Sequence, residues 1–496
     1  MAQWAPGCAV LTVAARAAEP AGPGRALPIT YLNTFLNTSE QGSTRHMRIT
    51  VLGTGYLGAT HAASMAEMGF EVLGVDIDPA KLESLSAGIL PFHEPELPEL
   101  LRRHVDTGRL RFTADYEEAG AFGDLHFIGV GTPQRPGAYA ADMTHVDAAV
   151  TQISRHLTRD AVIVGKSTVP VGTARRLQQL ARDNAPEGID VELVWNPEFL
   201  REGHAVEDTL HPDRMVLGLP GHGSEEPEDR ARVERLEAVM REVYAQQMAQ
   251  QIPLIVTDYE TSELVKVAAN SFLATKISFI NSLSELTEAV GGDIRTLADA
   301  IGMDERIGRK FLNAGVGFGG GCLPKDLRAL RARASELGLD QSVRFLAEVD
   351  EINIRRRQHT VDTVTEMLGG SVMGRQVAVL GAAFKPESDD VRDSPALDIA
   401  ARLHSIGADV HVYDPKANAN AAQRYPRVDY VDSLVQAVAR AEVVILLTEW
   451  QEFREMTPEQ LAPLVKQRQI LDGRNVLDPR RWLEAGWTYR ALGRRA

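Results

Sequence analysis

Arg48-Ile49-Thr50-Val51-Leu52-Gly53-Thr54-Gly55-Tyr56-Leu57-Gly58 is the stretch of this 496-residue chain whose reading decides the fold. Arg48–Leu52 reads as a short apolar strand, and a helical run from Ala59 to Met68 follows until Gly69 stops it. Glu71–Val75 reads as a second strand, ending in Asp76-Ile77-Asp78. Strand, glycine turn, helix and strand make a βαβ unit. In that setting Gly53-x-Gly55-x-x-Gly58 matches the dinucleotide fingerprint. The first glycine makes the tight turn, the second lets a pyrophosphate approach, and the third lets helix and strand pack closely. The helix N-terminus favours the phosphate charge. Asp76 ends the second strand, where an acid can bind a ribose 2′-hydroxyl and would repel a 2′-phosphate, so NAD is expected over NADP.

Outward from this unit, further strands are predicted at Leu125–Val130, Ala161–Gly165 and Val191–Trp195, each followed by a turn and helical sequence. The alternation predicts a parallel sheet with helices on both faces. Residues 222–250 are charged and helix-prone, with no strand character. From Glu260 to Val290 one helical run carries Leu264, Val267, Phe272, Phe279, Ile280, Leu283 and Leu286 at three- and four-residue spacings. A helix of that length, about 45 Å, is expected to link two domains. A second α/β region begins near Gly374, with strands at Gln376–Leu380, Asp409–Tyr413, Val443–Leu447 and Gln469–Leu471 and a helix at Ala396–Ser405. The expected fold is α/β: two Rossmann-like doubly wound domains joined by a long central helix and a helical middle domain. The expected boundaries are 47–258 for a dinucleotide-binding domain, 259–372 for the helical middle and 373–496 for the second α/β domain. Residues 1–46, rich in Ala, Pro, Gly, Ser and Thr, read as a disordered leader or a mis-assigned start.

Composition narrows the function. With 53 basic and 68 acidic residues the net charge is −15, and no basic run offers a nucleic-acid face. No apolar stretch of about 18 residues exists, so no membrane helix is expected. Cys8 and Cys322 are the only cysteines, too few for a disulfide framework or a cysteine-rich zinc module, and a reducing cytoplasmic setting is expected. The thirteen histidines show no metal-binding spacing, and pairs such as His93 and His104 read as scattered surface residues. No metal is expected.

The run Gly-Val-Gly-Phe-Gly-Gly-Gly-Cys-Leu-Pro-Lys-Asp from Gly315 to Asp326 is too glycine-rich for a helix or an ordinary strand and exposes backbone N–H groups to a ligand. Cys322 falls where the helical stretch Leu323–Leu337 starts, with Pro324 in its first turn. The helix N-terminus and Lys325 are expected to lower the thiol pKa. Asp326, four residues on, shares a face with Cys322. On the long helix, Lys266 and Asn270 also share a face; from spacing alone Lys266 is either a snorkelling surface lysine or a site residue. Lys166-Ser167-Thr168 and Asn196-Pro197-Glu198-Phe199-Leu200 follow strands, where α/β proteins place ligands. Gly165-Lys166-Ser167 mimics the tail of a P-loop, but Asp160 stands where its leading glycine is needed. Taken alone, Glu198 reads as a capping residue more readily than a catalytic one.

Seven motifs together, GTGYLG, KSTVPVGT, NPEFLREG, ELVKVAANSFLATKISFIN, GFGGGCLPKD, FKPESDDVRDSP and DGR, resemble those of the UDP-glucose/GDP-mannose dehydrogenase family, from Met47 to about Leu477. The resemblance implies a four-electron oxidation in which the C6 alcohol of UDP-glucose becomes a carboxylate and two NAD are reduced. It implies Cys322 as nucleophile, through a thiohemiacetal and a thioester, and Asp326 as base, directly or through a water held by Thr168. Lys266 and Asn270 would stabilise the C6 oxygen, and Glu198 would be the base for thioester hydrolysis. NAD would meet Gly53, Gly55, Tyr56, Leu57, Gly58, Asp76, Lys81, Thr132, Thr168, Glu202 and Arg392. The sugar nucleotide would meet Glu198, Phe199, Leu200, Lys266, Asn270, Phe311, Asn313, Gly315, Phe318, Gly319, Phe384, Lys385 and Arg474. Arg306 would reach the substrate of a neighbouring subunit, since such enzymes pair through the helical middle as homodimers or larger homo-oligomers. Gly321 departs from the serine many members carry before the cysteine. Alternatives at this point are a GDP-mannose or UDP-N-acetylhexosamine 6-dehydrogenase of the same family and a catalytically inactive NAD-binding scaffold. A two-electron β-hydroxyacid dehydrogenase would need neither the cysteine nor the second nucleotide domain.

Overall fold

A computed structural model describes residues 47–494; the leader expected over residues 1–46 lies outside them. Eight strands build the first sheet: β1 Arg48–Leu52, β2 Glu71–Val75, β3 Leu110–Thr113, β4 Leu125–Ile128, β5 Ala161–Gly165, β6 Val191–Trp195, β7 Met215–Gly218 and β8 Leu254–Thr257. Their order is β3-β2-β1-β4-β5-β6-β7-β8. All neighbours run parallel except β6 and β7, which meet antiparallel at Trp195 and Gly218. Strands β4, β5 and β6 are buried along their whole length. Helices on both faces explain why they read as unbroken apolar runs.

The second sheet has six strands: β9 Gln376–Leu380, β10 Asp409–Tyr413, β11 Asp429–Tyr430, β12 Val443–Leu446, β13 Gln469–Asp472 and β14 Thr488–Ala491. Its order, β11-β10-β9-β12-β13-β14, is wholly parallel. Counted from its own first strand, that is the doubly wound order 3-2-1-4-5-6, which the first six strands of the larger sheet also follow.

Five strands escaped the sequence reading. Strands β3 and β14 are half exposed, and β11 has only two residues. Strand β7, though buried, is four residues long, and β8 at the sheet edge is partly open to solvent. Short or half-polar segments of this kind carry little periodic signal. The charged stretch 222–250 forms helices Pro227–Val243 and Ala245–Ala249. One histidine reading is corrected. His104 is buried, and its Nε2 lies 2.6 Å from Glu67 Oε2, so the amphipathic helix Leu97–Asp106 turns it inward.

The long helix runs Tyr259–Val290, started by Asp258, whose side chain accepts from Thr261 N, and stopped by Gly291 at φ 76°. Its first residue reaches the larger sheet, the Tyr259 hydroxyl donating to Leu193 O. Its last turns meet the end of the chain, where Gly493 N donates to Glu288 Oε1 (2.6 Å) and the Thr287 hydroxyl to Gly493 O (3.0 Å). Helices Leu323–Glu336 and Phe345–Met367 pack beside it. The apolar residues that marked this helix in the sequence do not share one environment. Val267 and Ile280 are buried, but Leu264, Phe272, Phe279 and Leu286 are exposed. The buried face is made largely of small residues, Ser271, Ala274, Ser278 and Ser284, which let neighbouring helices come close.

Candidate active site

The glycine turn after β1 gives its three glycines separate duties. Gly53 sits at φ +85°, and a Cβ there would lie 2.9 Å from Val130 Cα. A Cβ on Gly58 would lie 1.7 Å from Gly53 O, so only glycine lets the helix Tyr56–Glu67 pack this close to the turn. At Gly55 a Cβ would meet nothing within 4 Å, leaving open space over the helix N-terminus, which has no side-chain cap. That bare, accessible N-terminus is what a pyrophosphate requires.

Asp76 lies where the fingerprint expects it. Its Oδ2 accepts from Thr54 N (2.8 Å), the Thr54 hydroxyl (3.0 Å) and Lys81 Nζ (2.9 Å); Oδ1 accepts from Asp78 N (3.1 Å). Burial opposes its charge, but Lys81 and these N–H groups outweigh burial and hold the carboxyl below its usual range. Oδ1 keeps a lone pair for a ribose hydroxyl. These residues therefore fit a dinucleotide. Across the β4 and β5 strand ends, the Thr132 hydroxyl donates to Thr168 O (2.7 Å).

Cys322 is the N-cap of the helix Leu323–Glu336, and its carbonyl accepts from Asp326 N (2.9 Å). Asp326 is buried and held at both oxygens, by Lys325 Nζ (2.6 Å) and by Asn270 Nδ2 (2.6 Å). Thr168, Lys325 and Asp326 line one small cavity. Lys266 lies over the Phe199 ring, 5.4 Å from its centroid, and its charge acts on the thiol. The expected depression of the thiol pKa is overturned. Solvent reaches Cys322, yet the protein mass around it and the Asp326 carboxylate push the thiol up, more than Lys266 and Lys325 pull it down. The two lysines do not offset the combined effect of burial and the carboxylate on this thiol.

The glycine loop is pinned from behind. Asn353 grips Phe318 twice, accepting from its N–H (2.7 Å) and donating to its carbonyl (2.9 Å), and Gly315 N donates to Asn281 Oδ1 (2.8 Å). Arg474, from the loop after β13, donates to Leu447 O (2.7 Å), Gly317 O (3.3 Å) and Phe384 O (3.2 Å), so it joins the loop to the second sheet. Gly321 lies against Arg392: a Cβ there would come 2.3 Å from the guanidinium carbon. Arg392 donates to Glu202 (3.2 Å) and Asp390 (2.7 Å), Ser388 donates to Glu202 Oε2 (3.0 Å), and Lys385 Nζ donates to Glu202 O. Burial, then the Asp390 charge, pushes the Glu202 carboxyl up to about 7 against the pull of Arg392, Ser388 and Lys385.

Not every expected residue converges. Arg306 is exposed, its side chain 89% accessible, and pairs with Asp304 beside it. Asn313 accepts from Arg309 (2.8 Å), and Phe311 adopts a left-handed backbone at φ 67°. Glu198 caps its own loop, Oε1 accepting from Phe199 N (2.8 Å) and Leu200 N (3.1 Å), while Oε2 pairs with Lys166 (3.1 Å). Two participants went unnoticed in the sequence. Glu94 is buried and accepts from Tyr56, Gly203 N (2.6 Å) and Ala205 N (2.7 Å). Lys166, read only as a P-loop mimic, is buried; a lysine directly after five apolar strand residues was the available signal.

Fold and site together define an oxidoreductase in which a dinucleotide fold and a second nucleotide-type fold meet at a thiol. Sequence profiles of three domains match: the NAD binding domain of the UDP-glucose/GDP-mannose dehydrogenase family over residues 47–248, its central domain over 260–355 and its UDP binding domain over 378–479. A UDP-glucose 6-dehydrogenase of Bacillus subtilis is 41% identical over 450 residues, covering 90% of this chain and 94% of that protein. One from Rhizobium meliloti is 41% identical over 448 residues, covering 90% and 100%. The solved UDP-glucose dehydrogenase of Pyrobaculum islandicum superposes with a TM-score of 0.81 at 35% identity, over 92% of this chain and all of that one. The chain belongs to the UDP-glucose/GDP-mannose dehydrogenase family. Among the described residues, no helix is long and apolar enough to cross a membrane.

Proposed function

We propose that this enzyme oxidises UDP-glucose to UDP-glucuronate and reduces two NAD for each sugar nucleotide. The observation that carries the reading is the buried Asp326, clasped by Asn270 and Lys325 one helical turn beyond Cys322. When bound, NAD supplies the hydride acceptor for both oxidations. Gly53, Gly55, Tyr56, Leu57, Gly58, Asp76, Lys81, Thr132, Thr168, Glu202 and Arg392 are the residues proposed to hold it. Asp326, with a water on Thr168, takes the proton of the C6 hydroxyl. Lys266 and the second N–H of the Asn270 amide steady the charge on that oxygen. The Cys322 sulfur then bonds to the aldehyde carbon. Because its surroundings disfavour the thiolate, the thiol gives up its proton as it attacks, and Asp326, having passed its first proton to solvent water, is the base at hand. Once that carbon has given up the second hydride and its hydroxyl proton it is a thioester, and Glu198 receives the proton of the water that hydrolyses it. Arg474, Phe384, Lys385 and the Gly315–Gly319 loop hold the nucleotide.

The same reading makes the chain a homodimer or larger homo-oligomer. Phe272, Phe279, Leu286 and Val290 are 51–73% exposed on the long helix, spaced by seven, seven and four residues, so one bare apolar face awaits a second copy. That arrangement leaves Arg306 free to reach across. A reducing cytoplasm suits an accessible nucleophilic thiol.

The test is stoichiometry. Two NADH per UDP-glucose and release of acid, not aldehyde, are expected, and Cys322→Ala should stop acid formation. One NADH per sugar, or undiminished glucuronate output from Cys322→Ala, would overturn the covalent route. Competition of UDP-glucose against GDP-mannose and a UDP-N-acetylhexosamine tests the substrate.

A further inference from the structure

Lys166 is a buried cation that the oxidation steps do not use. It follows β5 and is 5% exposed. Its ammonium has three donors. They reach Glu198 Oε2 (3.1 Å), Asn196 Oδ1 (3.0 Å) and the Tyr244 hydroxyl (3.4 Å). The frame behind it is rigid: the Tyr244 hydroxyl donates to Asn196 Oδ1 (2.5 Å), and Asn196 Nδ2 donates to Val216 O (2.9 Å) on β7. The Phe127 ring closes one side, 5.7 Å from the ammonium. A buried charge is tolerated only when paired and hydrogen-bonded, and among the described residues Glu198 is its one carboxylate partner.

The consequence falls on Glu198. A carboxylate has about four lone-pair sites. Lys166, Phe199 N and Leu200 N take three of them. The group is thereby fixed at both oxygens with a single acceptor direction left. We propose that Lys166 is the positioning residue of the hydrolysis step, locking Glu198 so that its one open lone pair receives the proton of the attacking water. This rests on the reading of Glu198 as the hydrolytic base. In that step the water oxygen bonds to the thioester carbon and its proton passes to Glu198. The carbon–sulfur bond then breaks with its electron pair left on Cys322, and the acid departs. No oxidant is consumed.

The experiment is a double-mutant cycle on single turnovers, following NADH release and, by intact-protein mass, the UDP-glucuronyl adduct on Cys322. Lys166→Met should keep the two-NADH burst, slow hydrolysis roughly tenfold or more, and accumulate the adduct, as should Glu198→Gln. In Lys166→Met/Glu198→Gln hydrolysis should be no slower than in Glu198→Gln alone, because Lys166 acts through Glu198. Wild-type hydrolysis in a folded Lys166→Met, or a further fall in the double variant, would overturn the proposal while leaving Glu198 in place. A Glu198→Gln enzyme that hydrolyses normally without adduct would instead remove the hydrolytic-base reading on which it stands. Should Lys166→Met fail to fold, the double variant, which carries no unpaired buried charge, decides alone against Glu198→Gln.

Discussion

The two sheets share a strand order and a turn, and they part at one carboxylate. Gly53 N donates to Val75 O at 2.7 Å in the larger sheet; Gly381 N donates to Tyr413 O at 2.8 Å in the smaller. Each second strand is followed by an aspartate that accepts from the turn after the first: Asp76 from Thr54 N, Asp414 from Ala382 N. Asp76 retains an accepting direction. Asp414 has none: Ala382 N, Ala383 N and the Trp450 indole share Oδ2, while Lys416 N and Ala417 N share Oδ1. The chain between first strand and first helix differs as well. In the larger sheet it is Gly53–Gly55; in the smaller it is residues 381–394, which carry Phe384, Lys385 and Arg392 toward the thiol. One scaffold thus fits a dinucleotide where its acid is left free, and is proposed to wall the substrate where the acid is taken up by neighbouring N–H groups.

The strongest way to break this comparison is Gly58→Ala. Its methyl must displace the Gly53 carbonyl, so kcat/KM for NAD should fall at least about 100-fold, equivalent to about 2.7 kcal/mol. A variant with unchanged NAD kinetics would show that the turn is not the cradle. Next is Asp414→Asn, which leaves buried N–H groups without their acceptor. Chemical denaturation should register a loss of about 2 kcal/mol, with the ratio of NAD to NADP activity unmoved. Asp76→Asn is the mirror experiment. Wild-type enzyme should prefer NAD at least about tenfold, about 1.4 kcal/mol, and the variant should bring the ratio of kcat/KM values toward one. If Asp414→Asn changed coenzyme choice and Asp76→Asn did not, the assignment of the two acids would be reversed. The smallest effect belongs to Gly321→Ser: its side chain meets the far end of the Arg392 side chain, not backbone, so turnover should stay within about threefold.

What was readable in the sequence follows from where periodicity is strong. Buried central strands β1, β4, β5, β6, β9 and β12 announced themselves, as did the long helix, because burial on both faces or sustained spacing leaves a clear pattern. Edge strands β3, β8 and β14 did not, being half wet. The partners of the thiol were legible because glycine density and i, i+4 spacing are local signals. The thiol pKa was not, since it depends on how closely Asp326, Lys266 and Lys325 converge in space. Nor was the inward face of the long helix: small residues at helical spacing look neutral until the neighbouring helices are in place. Lys166 and Glu94 stayed hidden for the same reason, their nearest partners lying 30 and 38 residues away.

The long helix also has a mechanical meaning. Its 32 residues span about 48 Å, and it is anchored at one end to β6 and at the other to the end of the chain. Lys266 and Asn270 ride on this rod, and the helix bearing Cys322 and Asp326 lies along it. The proposed nucleophile, its base and the oxyanion groups therefore belong to this helical member, whereas Thr168 and Glu198 follow strands of the larger sheet. The side-chain clasp of Glu202 with Lys385, Ser388 and Arg392 joins the loops of the two sheets, and Arg474 ties the second sheet to the glycine loop. A force that parted the two sheets would therefore load these side-chain ties, which give by rotation about single bonds, before it bent a helix held by its own backbone hydrogen bonds.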